Sequence, residues 1–290
     1  MTPGAIAQLA SVLEATARKP GNVHRFADFQ DVGYLDFLLS AQAIVGPLDR
    51  ASEAGIGRTV LECVRETQRY VSTNTNLGMI LLFTPLAAVP EGRDLRVGVH
   101  EVLENLTTDD ARQVYEAIRL ADPGGIGSVD DQDIRAEPTV TLLDAMRLAA
   151  DRDSIARQYV NGFADVFDLA SPVLAESIEL GQGWETAVVN TYLHLLVELP
   201  DTLMLRKRGA DEATAASDRA ALVLEAGWPN DEFGLVKVRE FDSWLRAVGH
   251  SRNPGATADL VSAALFAALR DGTIRFPLSA ELRQVGPFAF

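Results

Sequence analysis

The sequence contains little cysteine, little positive charge and few long apolar runs. Each of these scarcities excludes some classes of function. Cys63 is the only cysteine in 290 residues, so an intramolecular disulfide and a multi-cysteine metal site are both excluded, and a reducing compartment is favoured. Lysine and arginine total 26 against 41 aspartate and glutamate residues, which gives a formal charge of −15. Because that charge repels phosphate backbones, we expect neither nucleic acid nor an anionic membrane as a partner.

Membrane-spanning and common hydrolase functions are also disfavoured. Residues 71–90 carry no charge, yet polar residues and a proline interrupt them and leave too few apolar positions to cross a bilayer. The first residues lack the basic leader and unbroken apolar segment of a signal peptide, so we expect a cytoplasmic protein. Neither G-x-S-x-G nor H-E-x-x-H occurs, which argues against the common serine hydrolases and zinc proteases.

Helical periodicity is the dominant pattern that is present. Apolar residues recur at spacings of three and four, as in Ile6, Leu9 and Leu13, and no run of alternating β-branched residues is convincing. Further amphipathic stretches cover residues 34–48, 95–106, 111–120, 140–150, 155–167, 213–226, 232–248 and 258–269. The sequence therefore predicts an all-α protein. We expect a single compact domain, residues 1–290, of roughly a dozen helices, with residues 181–183 as the best seam if there are two.

A loop after the first predicted helix places two cations, a histidine and an asparagine close together. It reads K-P-G-N-V-H-R from residue 19 to residue 25. Lysine offers a point charge and arginine a planar fork, so such a loop can bind a polyphosphate. The same residues also fit a solvated loop that ends the helix. The candidates for nucleotide or phosphate binding are Lys19, Gly21, Asn22, His24 and Arg25.

Three aspartates, Asp28, Asp31 and Asp36, follow this loop. Their carboxylates could converge on a hard cation such as Mg²⁺, which usually takes one or two carboxylates and completes its shell with water and substrate phosphate. Asp31 also fits as the cap of the helix predicted to begin near Tyr34. From spacing alone, capping is favoured over metal binding.

Two more polar loops follow. The second loop, T-N-T-N-L-G at residues 73–78, adjoins the most apolar stretch of the chain, so Asn74 and Asn76 are candidates for hydrogen bonds to a ligand. A helix N-cap explains one or two of its polar residues equally well. The third loop, D-P-G-G-I-G at residues 122–127, would let backbone amides approach a ligand, but no P-loop lysine follows it.

The fourth and fifth clusters lie in the last third of the chain. Asp201 follows an apolar helix, and Arg206 and Arg208 belong to the densest cationic run, which suits a phosphate clamp or complements a helix dipole. The fifth, R-N-P-G-A-T-A-D-L at residues 252–260, opens an apolar helix at Gly255. Its free amides suit an anion, with Asp259 in the first turn, although an ordinary capped helix start has the same composition.

The order of these loops resembles the triphosphoribosyl-dephospho-CoA synthase family over nearly the whole chain. The resemblance is carried by EATARKPGNVHRFADFQDVGYLDFLLSA, TNTNLGMILL, LHLLVELPDTLMLRKRG and SRNPGATADLVSAALF. It implies a transferase that takes ATP and 3′-dephospho-CoA, transfers the triphosphoribosyl group to a ribose hydroxyl and releases adenine, with Mg²⁺ on the triphosphate.

The resemblance also implies roles for the candidate residues. Lys19, His24 and Arg25 would meet the triphosphate, and Arg206 and Arg208 would clamp phosphates. The catalytic candidates are Asp28, Asp31 and Asp201, and the metal candidates are Asp28, Asp31 and Asp36. Asn74 and Asn76 would read ribose or adenine, while Gly255 and Asp259 would complete the cleft.

Two segments depart from the family pattern. Residues 75–78, T-N-L-G, stand where better-known members carry a basic H-K-G, and residues 121–127 lack an arginine–glutamate pair. The departures resemble a divergent branch. The alternatives are a sister enzyme on the same scaffold acting on another phosphorylated cofactor precursor, for example in pterin-linked one-carbon cofactor synthesis, or a non-catalytic nucleotide-binding helical protein. The aromatic tail, residues 276–290, fits docking on a second copy in a homodimer and equally fits packing on its own core.

Overall fold

The computed structural model describes residues 1–123 and 134–284, and within them the all-α prediction is confirmed. The one named strand there, β1, is the exposed segment Ala247–His250. The first helices are α1 (Pro3–Thr16), α2 (Tyr34–Ala43), α3 (Val45–Asp49), α4 (Ala51–Ala54), α5 (Ile56–Thr67), α6 (Leu77–Ala88), α7 (Leu95–Glu104), α8 (Thr108–Ala121), α9 (Leu142–Ala149) and α10 (Ser154–Asn161). After a π-helical turn, Asp165–Ala170, come α11 (Ser171–Glu179), α12 (Trp184–Glu198), α13 (Thr202–Arg208), α14 (Ala210–Glu225), α15 (Glu232–Arg246) and α16 (Gly255–Asp271).

These elements form two compact units, each built from two stretches of chain. Unit 1 comprises Met1–Val12 and Leu35–Asp165, and unit 2 comprises Leu13–Tyr34 and Val166–Phe290. The seam expected at residues 181–183 therefore lies inside unit 2. Helix α1 begins in unit 1, and its last turn belongs to unit 2, where it leads directly into the K-P-G loop.

Unit 1 is organised around α6, in which every residue except Gly78 is buried. This helix packs against α3, α4, α5, α7 and α10. A helix that is apolar on all sides needs such neighbours, because each face must be removed from water. Within residues 1–123 and 134–284, no helix is both long and apolar enough to cross a membrane.

Unit 2 is organised around α12 and α16, which pack against each other and against α11. Helix α14 covers α12, and α13 packs on both α14 and α16. The buried faces of α12 and α16 are rich in alanine, valine and leucine, so the helices can approach closely. This packing fixes the positions of the segments that carry most of the predicted site residues.

Two predicted helices are interrupted for local reasons. The stretch 34–48 divides into α2 and α3. The stretch 155–167 ends as a helix at Asn161, because Gly162 and Phe163 adopt positive φ angles of 66° and 62°. Periodicity continues through such breaks, so it could not locate them.

Candidate active site

All of the predicted site residues except Asp36, Asn74 and Asn76 lie in unit 2. They fall on three segments: the K-P-G loop with its aspartates (residues 17–34), helix α13 with the preceding Asp201, and the segment from β1 into the second turn of α16 (residues 247–259). Several contacts join these segments. The side chain of Asn22 donates to that of Asn253, and Asp201 accepts from Thr257.

Lys19 lies inside the protein and does not face a ligand. Its side chain is 0% exposed, and its Nζ lies 2.8 Å from Glu14 Oε1. The same ammonium donates to the carbonyls of Glu14 and Ala17. Burial raises the pKa of Glu14, while Lys19 lowers it to a smaller extent. This corrects the expectation of a triphosphate contact: Lys19 stabilises the end of α1 and the start of the loop.

Glu185, on the first turn of α12, anchors the same loop through two arginines. Its carboxylate is fully buried and accepts from Arg18 Nε at 2.9 Å and Arg18 Nη2 at 3.0 Å. Arg25 Nη2 donates to Glu185 Oε2 at 2.8 Å, and the Arg25 side chain stays 22% exposed. Sequence reasoning missed Glu185, because its partners are more than 150 residues away in the chain.

Phe26 is the most exposed aromatic side chain of this loop, at 65%. The guanidinium carbons of Arg18 and Arg25 lie 5.5 and 4.9 Å from its ring centroid, and the His24 ring packs edge-on at 6.5 Å. Cations near the ring favour its position, so an apolar ring is held at the surface beside two positive charges. An aromatic surface of this kind can stack on a nucleobase.

His24 is buried and is held as a neutral imidazole. Burial lowers its pKa to about 3, assisted by the nearby charges of Arg246, Lys19, Arg18 and Arg25. Its Nδ1 accepts from the amide of Phe26 at 3.3 Å, and its backbone bridges to Ala27. A contact between His24 and the triphosphate therefore stays a prediction, and a neutral imidazole would make it as a hydrogen bond without a positive charge.

Acidification provides a test of this description of His24. In the unfolded chain, His24 takes up a proton near pH 6.5, whereas in the folded protein it does so only near pH 3. The free energy of unfolding therefore decreases as the pH falls below about 6.5. Between pH 7 and pH 5 we expect the free energy of unfolding to decrease by about 2 kcal/mol more in the parent than in His24→Asn. The asparagine keeps a hydrogen-bond acceptor but does not titrate in this range. Urea unfolding at both pH values measures the difference. Equal losses would contradict a depressed pKa.

Gly21 and Asn22 are positioned by α15. The amide of Gly21 donates to Asp242 at 2.8 Å, and Arg246 bridges Asp242 to the carbonyl of Asn22. Gly21 has φ +74°, and a Cβ atom there would lie 2.7 Å from Leu245. Only glycine fits both conditions without strain. These residues therefore shape the loop rather than reach a ligand directly.

Asp28 and Asp31 lie at the exposed end of the loop. Asp28 Oδ1 accepts from the amide of Tyr34 at 2.7 Å, so Asp28 rather than Asp31 caps α2. Asp31, 53% exposed, lies 3.1 Å from Nδ1 of His250, which is 45% exposed. The ring of Phe29 packs edge-on against the same imidazole, with 5.7 Å between centroids. Asp31 and His250 thus form an accessible carboxylate–imidazole pair that can accept a proton.

Asp201 is buried, and its carboxylate caps the starts of two helices, α13 and α16. Its Oδ1 accepts from the amide of Met204 at 2.8 Å, and its Oδ2 accepts from the amide and the hydroxyl of Thr257 at 2.7 and 2.8 Å. Burial raises its pKa, and these hydrogen bonds lower it to a smaller extent. The first turn of α16 does meet an anion, as predicted, but the anion is this carboxylate. Asp201 is therefore not placed to act as a general base on a substrate.

The cationic run divides into residues with different environments. Arg208 Nη2 lies 3.2 Å from Glu212, which also pairs with Arg252. Arg252 and Arg208 lower the pKa of Glu212 to about 2. Arg206 is exposed, and Lys207 is half-buried. Arg208 is thus engaged within the protein.

The remaining candidates in unit 2, Gly255 and Asp259, lie at the start of α16, and Gly255 has a packing role there. A Cβ atom on Gly255 would lie 2.7 Å from Leu203, so this glycine allows α13 to pack closely on α16. Asp259 is half-buried and lies in the second turn of α16, not in the first.

The predicted residues of unit 1 mainly stabilise helix ends. Asn74 Oδ1 accepts from the amide of Leu77, the first residue of α6, at 3.1 Å. Asn76 is buried and donates to the hydroxyl of Thr67 at 3.3 Å. Asp36 lies in the first turn of α2, and its carbonyl accepts from Ser40. Each of these contacts lies within unit 1, and only that of Asn74 with Leu77 lies at a helix start. Residues 124–127 of the third loop lie outside the described residues.

The part of the chain that the structure describes contains no group of three histidine, cysteine, aspartate or glutamate side chains arranged to hold a metal ion. Mg²⁺ rarely needs a complete protein cage, because water and substrate phosphates fill most of its shell. The exposed carboxylates of Asp28 and Asp31 fit that sparse requirement. The site can thus offer carboxylates, an Asp–His pair, cations and an aromatic ring on connected segments of unit 2.

Carboxylates, cations and an exposed aromatic ring are the groups that suit a phosphorylated, base-bearing ligand. The sequence profile of CitG, described as ATP:dephospho-CoA triphosphoribosyl transferase, matches residues 1–276. The chain belongs to this family. The match includes all three segments that form the candidate site.

Individual relatives agree with the family. The chain is 32% identical over 109 residues to a "probable" 2-(5''-triphosphoribosyl)-3'-dephosphocoenzyme-A synthase of Pseudomonas syringae pv. tomato, covering 38% of this chain and 37% of that protein. It is 33% identical over 102 residues to the 2-(5''-triphosphoribosyl)-3'-dephosphocoenzyme-A synthase of Pectobacterium atrosepticum, covering 35% of this chain and 32% of that protein. These matches therefore span only about a third of each relative's length.

The fold has a solved counterpart. A crystal structure from Archaeoglobus fulgidus that bears the name triphosphoribosyl-dephospho-CoA synthase is similar with a TM-score of 0.63 and 26% identity. The similarity covers 81% of this chain and 99% of that chain.

Proposed function

We propose that this protein is an ATP:dephospho-CoA triphosphoribosyl transferase. The observation that carries the proposal is the family match over residues 1–276, which includes every segment of the candidate site. In the reaction, a ribose hydroxyl oxygen of dephospho-CoA bonds to C1′ of the ATP ribose. The C1′–N9 bond breaks, and its electron pair leaves with adenine. The hydroxyl proton goes to a base, and adenine takes up a proton as it departs.

The exposed Asp31–His250 pair is our candidate for the base. Its carboxylate and imidazole lie 3.1 Å apart, and both are accessible to a substrate. A general base must lie within hydrogen-bond distance of the proton it takes, so a fully engaged buried group such as Asp201 is a poor alternative. Phe26 supports the proposal as a surface on which adenine can stack, and Arg25 supplies positive charge beside it.

Mg²⁺ enters this proposal with the nucleotide. With Asp31 assigned to the base, Asp28 would be its protein ligand, and water and phosphate oxygens would complete its shell. When bound, the metal would neutralise charge on the triphosphate. The protein residues would orient the acceptor and remove its proton.

The direct test is to incubate the protein with ATP, Mg²⁺ and dephospho-CoA and to measure free adenine and the product mass. We expect adenine and a product that carries the triphosphoribosyl group in equal amounts. Asp31→Asn should lower kcat by roughly 10²- to 10⁴-fold, the usual contribution of a general base. Asp218→Asn, which changes an exposed aspartate on α14, should leave kcat unchanged.

Absence of adenine from correctly folded protein would contradict the proposed activity. Repeating the assay with other phosphorylated cofactor precursors as acceptors would then show whether the donor reaction is retained. Full activity of Asp31→Asn would leave the transferase in place and remove the Asp31–His250 pair from its mechanism.

A further inference from the structure

The chain after α16 turns back and packs on other helices of unit 2. We call residues 274–284 the return segment. Ile274 is buried and Leu278 and Leu282 are half-buried, whereas the residues between them are exposed. Every fourth side chain of the return segment therefore faces the protein. Of the two expectations for the aromatic tail, the described part of it shows packing on its own unit.

The apolar cavity between the return segment and these helices is filled. Its free volume is about 10 Å³, at the lower limit of what one water molecule needs, so it has no room for a ligand. The cavity is lined by Leu13 of α1 and by Trp184 and Val188 of α12, among other residues. The return segment is thus a packed part of unit 2 and not a cover over an empty pocket.

Two backbone contacts join the return segment to the start of α12. The amide of Trp184 donates to the carbonyl of Leu282 at 3.0 Å, so the segment supplies an acceptor for one of the free amides of the helix start. A Cβ atom on Gly183 would lie 2.0 Å from the carbonyl oxygen of Gln284. Because Gly183 has φ −59°, which any residue adopts, glycine is needed here for its small size and not for its backbone freedom.

The same turn of α12 carries the anchor of the K-P-G loop. Glu185 directly follows Trp184, and its carboxylate accepts from the backbone amide of Arg18 at 3.1 Å. The guanidinium groups of Arg18 and Arg25 donate to it as well. A displacement of the first turn of α12 would therefore move the acceptor on which both arginines depend.

We propose that the return segment positions the K-P-G loop for the nucleotide by holding the first turn of α12. The inference rests on the proposed function and adds a positioning segment to its site. The return segment acts through Glu185 and takes no part in the chemistry. The family match ends at residue 276, so the role of residues 277–284 rests on their contacts in this chain. A ligand that needs the ordered loop should bind more weakly when the segment is released.

Two substitutions in the full-length protein release the segment from opposite sides of the contact. Leu282→Asp replaces an apolar contact of the return segment by a charge and leaves α12 unchanged. Gly183→Ala leaves the return segment unchanged and places a methyl group against the carbonyl of Gln284. Each has a matched control. Leu282→Met keeps the apolar volume, and Gly46→Ala adds a methyl group where the nearest atom, on Arg50, is 3.7 Å away.

Hydrogen exchange at single amides measures whether the loop responds. In Leu282→Asp and Gly183→Ala we expect exchange at the amides of Trp184 and Arg18 to become roughly tenfold faster, because the acceptors of both amides are displaced. The amide of Gly57, which donates to a carboxylate within unit 1, should exchange at the parental rate. Both control variants should exchange as the parent does.

Nucleotide affinity separates a positioning role from a merely structural one. We expect the Kd for ATP, measured by isothermal titration, and the KM for ATP to rise roughly tenfold in both releasing variants, within the usual range of coupling between two sites. The kcat should change little, because the Asp31–His250 pair makes no contact with the return segment. A merely structural role would lower the Tm and leave Kd and KM unchanged at temperatures where the protein is folded.

The outcomes keep this inference apart from the proposed function. Faster exchange at Trp184, with Arg18 exchange and ATP affinity at parental values, would overturn the positioning role and leave the transferase standing. Parental exchange at Trp184 in both releasing variants would overturn it too, because docking would then depend on neither contact. If the parent neither binds ATP nor releases adenine, faster exchange at Arg18 in both variants would support the positioning of the loop while the proposed function fails.

Discussion

Replacing Asp201 by alanine should lower the free energy of unfolding by roughly 3–5 kcal/mol, because two buried amides and one hydroxyl lose their acceptor together. The amides belong to Met204 in α13 and Thr257 in α16, so a single carboxylate fixes the starts of two helices. The free energy of unfolding should decrease less for Asp201→Asn, because the amide oxygen can still cap one helix. The amide nitrogen would face a donor at the other helix. Denaturant unfolding measures both changes.

Asp94 provides the matched control. It caps α7 by accepting from the amide of Val97 at 2.9 Å, and the contact is exposed to water. Asp94→Ala should therefore cost about 1 kcal/mol, as an ordinary N-cap does. An Asp201→Asn protein with parental stability and no activity would reverse this interpretation, because it would mark Asp201 as a catalytic base.

Replacing Glu185 by glutamine should destabilise the protein by roughly 3–5 kcal/mol, the usual cost of removing one partner from a buried ion pair. Glu185 compensates the buried Arg18 and the partly exposed Arg25, and a neutral amide would leave both guanidinium groups without their counter-charge. Since these arginines flank Phe26, we also expect weaker nucleotide binding. Unfolding measurements and nucleotide titration report the two effects separately.

Glu62 makes a similar pattern of contacts at the surface of unit 1. It accepts from Arg58 at 2.8 Å and from Arg50 at 3.4 Å, and both arginines are more than half exposed. Because water screens exposed pairs, Glu62→Gln should cost less than about 1 kcal/mol. If Glu62→Gln and Glu185→Gln lowered the free energy of unfolding by the same amount, this would contradict the role assigned to burial at Glu185.

The helical fold was predictable because helix period and loop composition are local properties. The amphipathic stretches and the apolar segment that becomes α6 are both visible in the sequence. The helix break at Gly162 and Phe163 was not predicted, since a positive φ at Phe163 depends on contacts outside the local sequence. The division of the α1 region between two units likewise depends on long-range packing.

The candidate site was predicted only in part. The clusters around Arg25, Asp31 and Arg206 could be proposed as candidates because polar and charged residues are conspicuous between apolar helices. Their individual roles were harder to assign. Lys19 and Asp201 have the residue types of a phosphate ligand and a base, yet both are buried with protein partners. Sequence composition does not reveal whether a charged side chain faces solvent or its own protein.

Long-range partners explain most of the remaining differences. His250 meets Asp31 across 219 positions of the chain, and Glu185 meets Arg18 across 167. No pattern in a single sequence indicates that residues so far apart in the chain are in contact. The nearest available clue for Glu185 was its place in the first turn of an apolar helix, where a carboxylate complements the helix dipole.

We propose that the accessible cations of unit 2, such as Arg25, hold the substrate's phosphoanhydride chain, and that buried Lys19 does not. A crystal structure of the protein with bound ATP tests this most directly. We predict triphosphate density in unit 2, with Lys19 still paired to Glu14 and Asp201 still capping α13 and α16. Triphosphate density in unit 1, or phosphates contacting a released Lys19, would contradict the account.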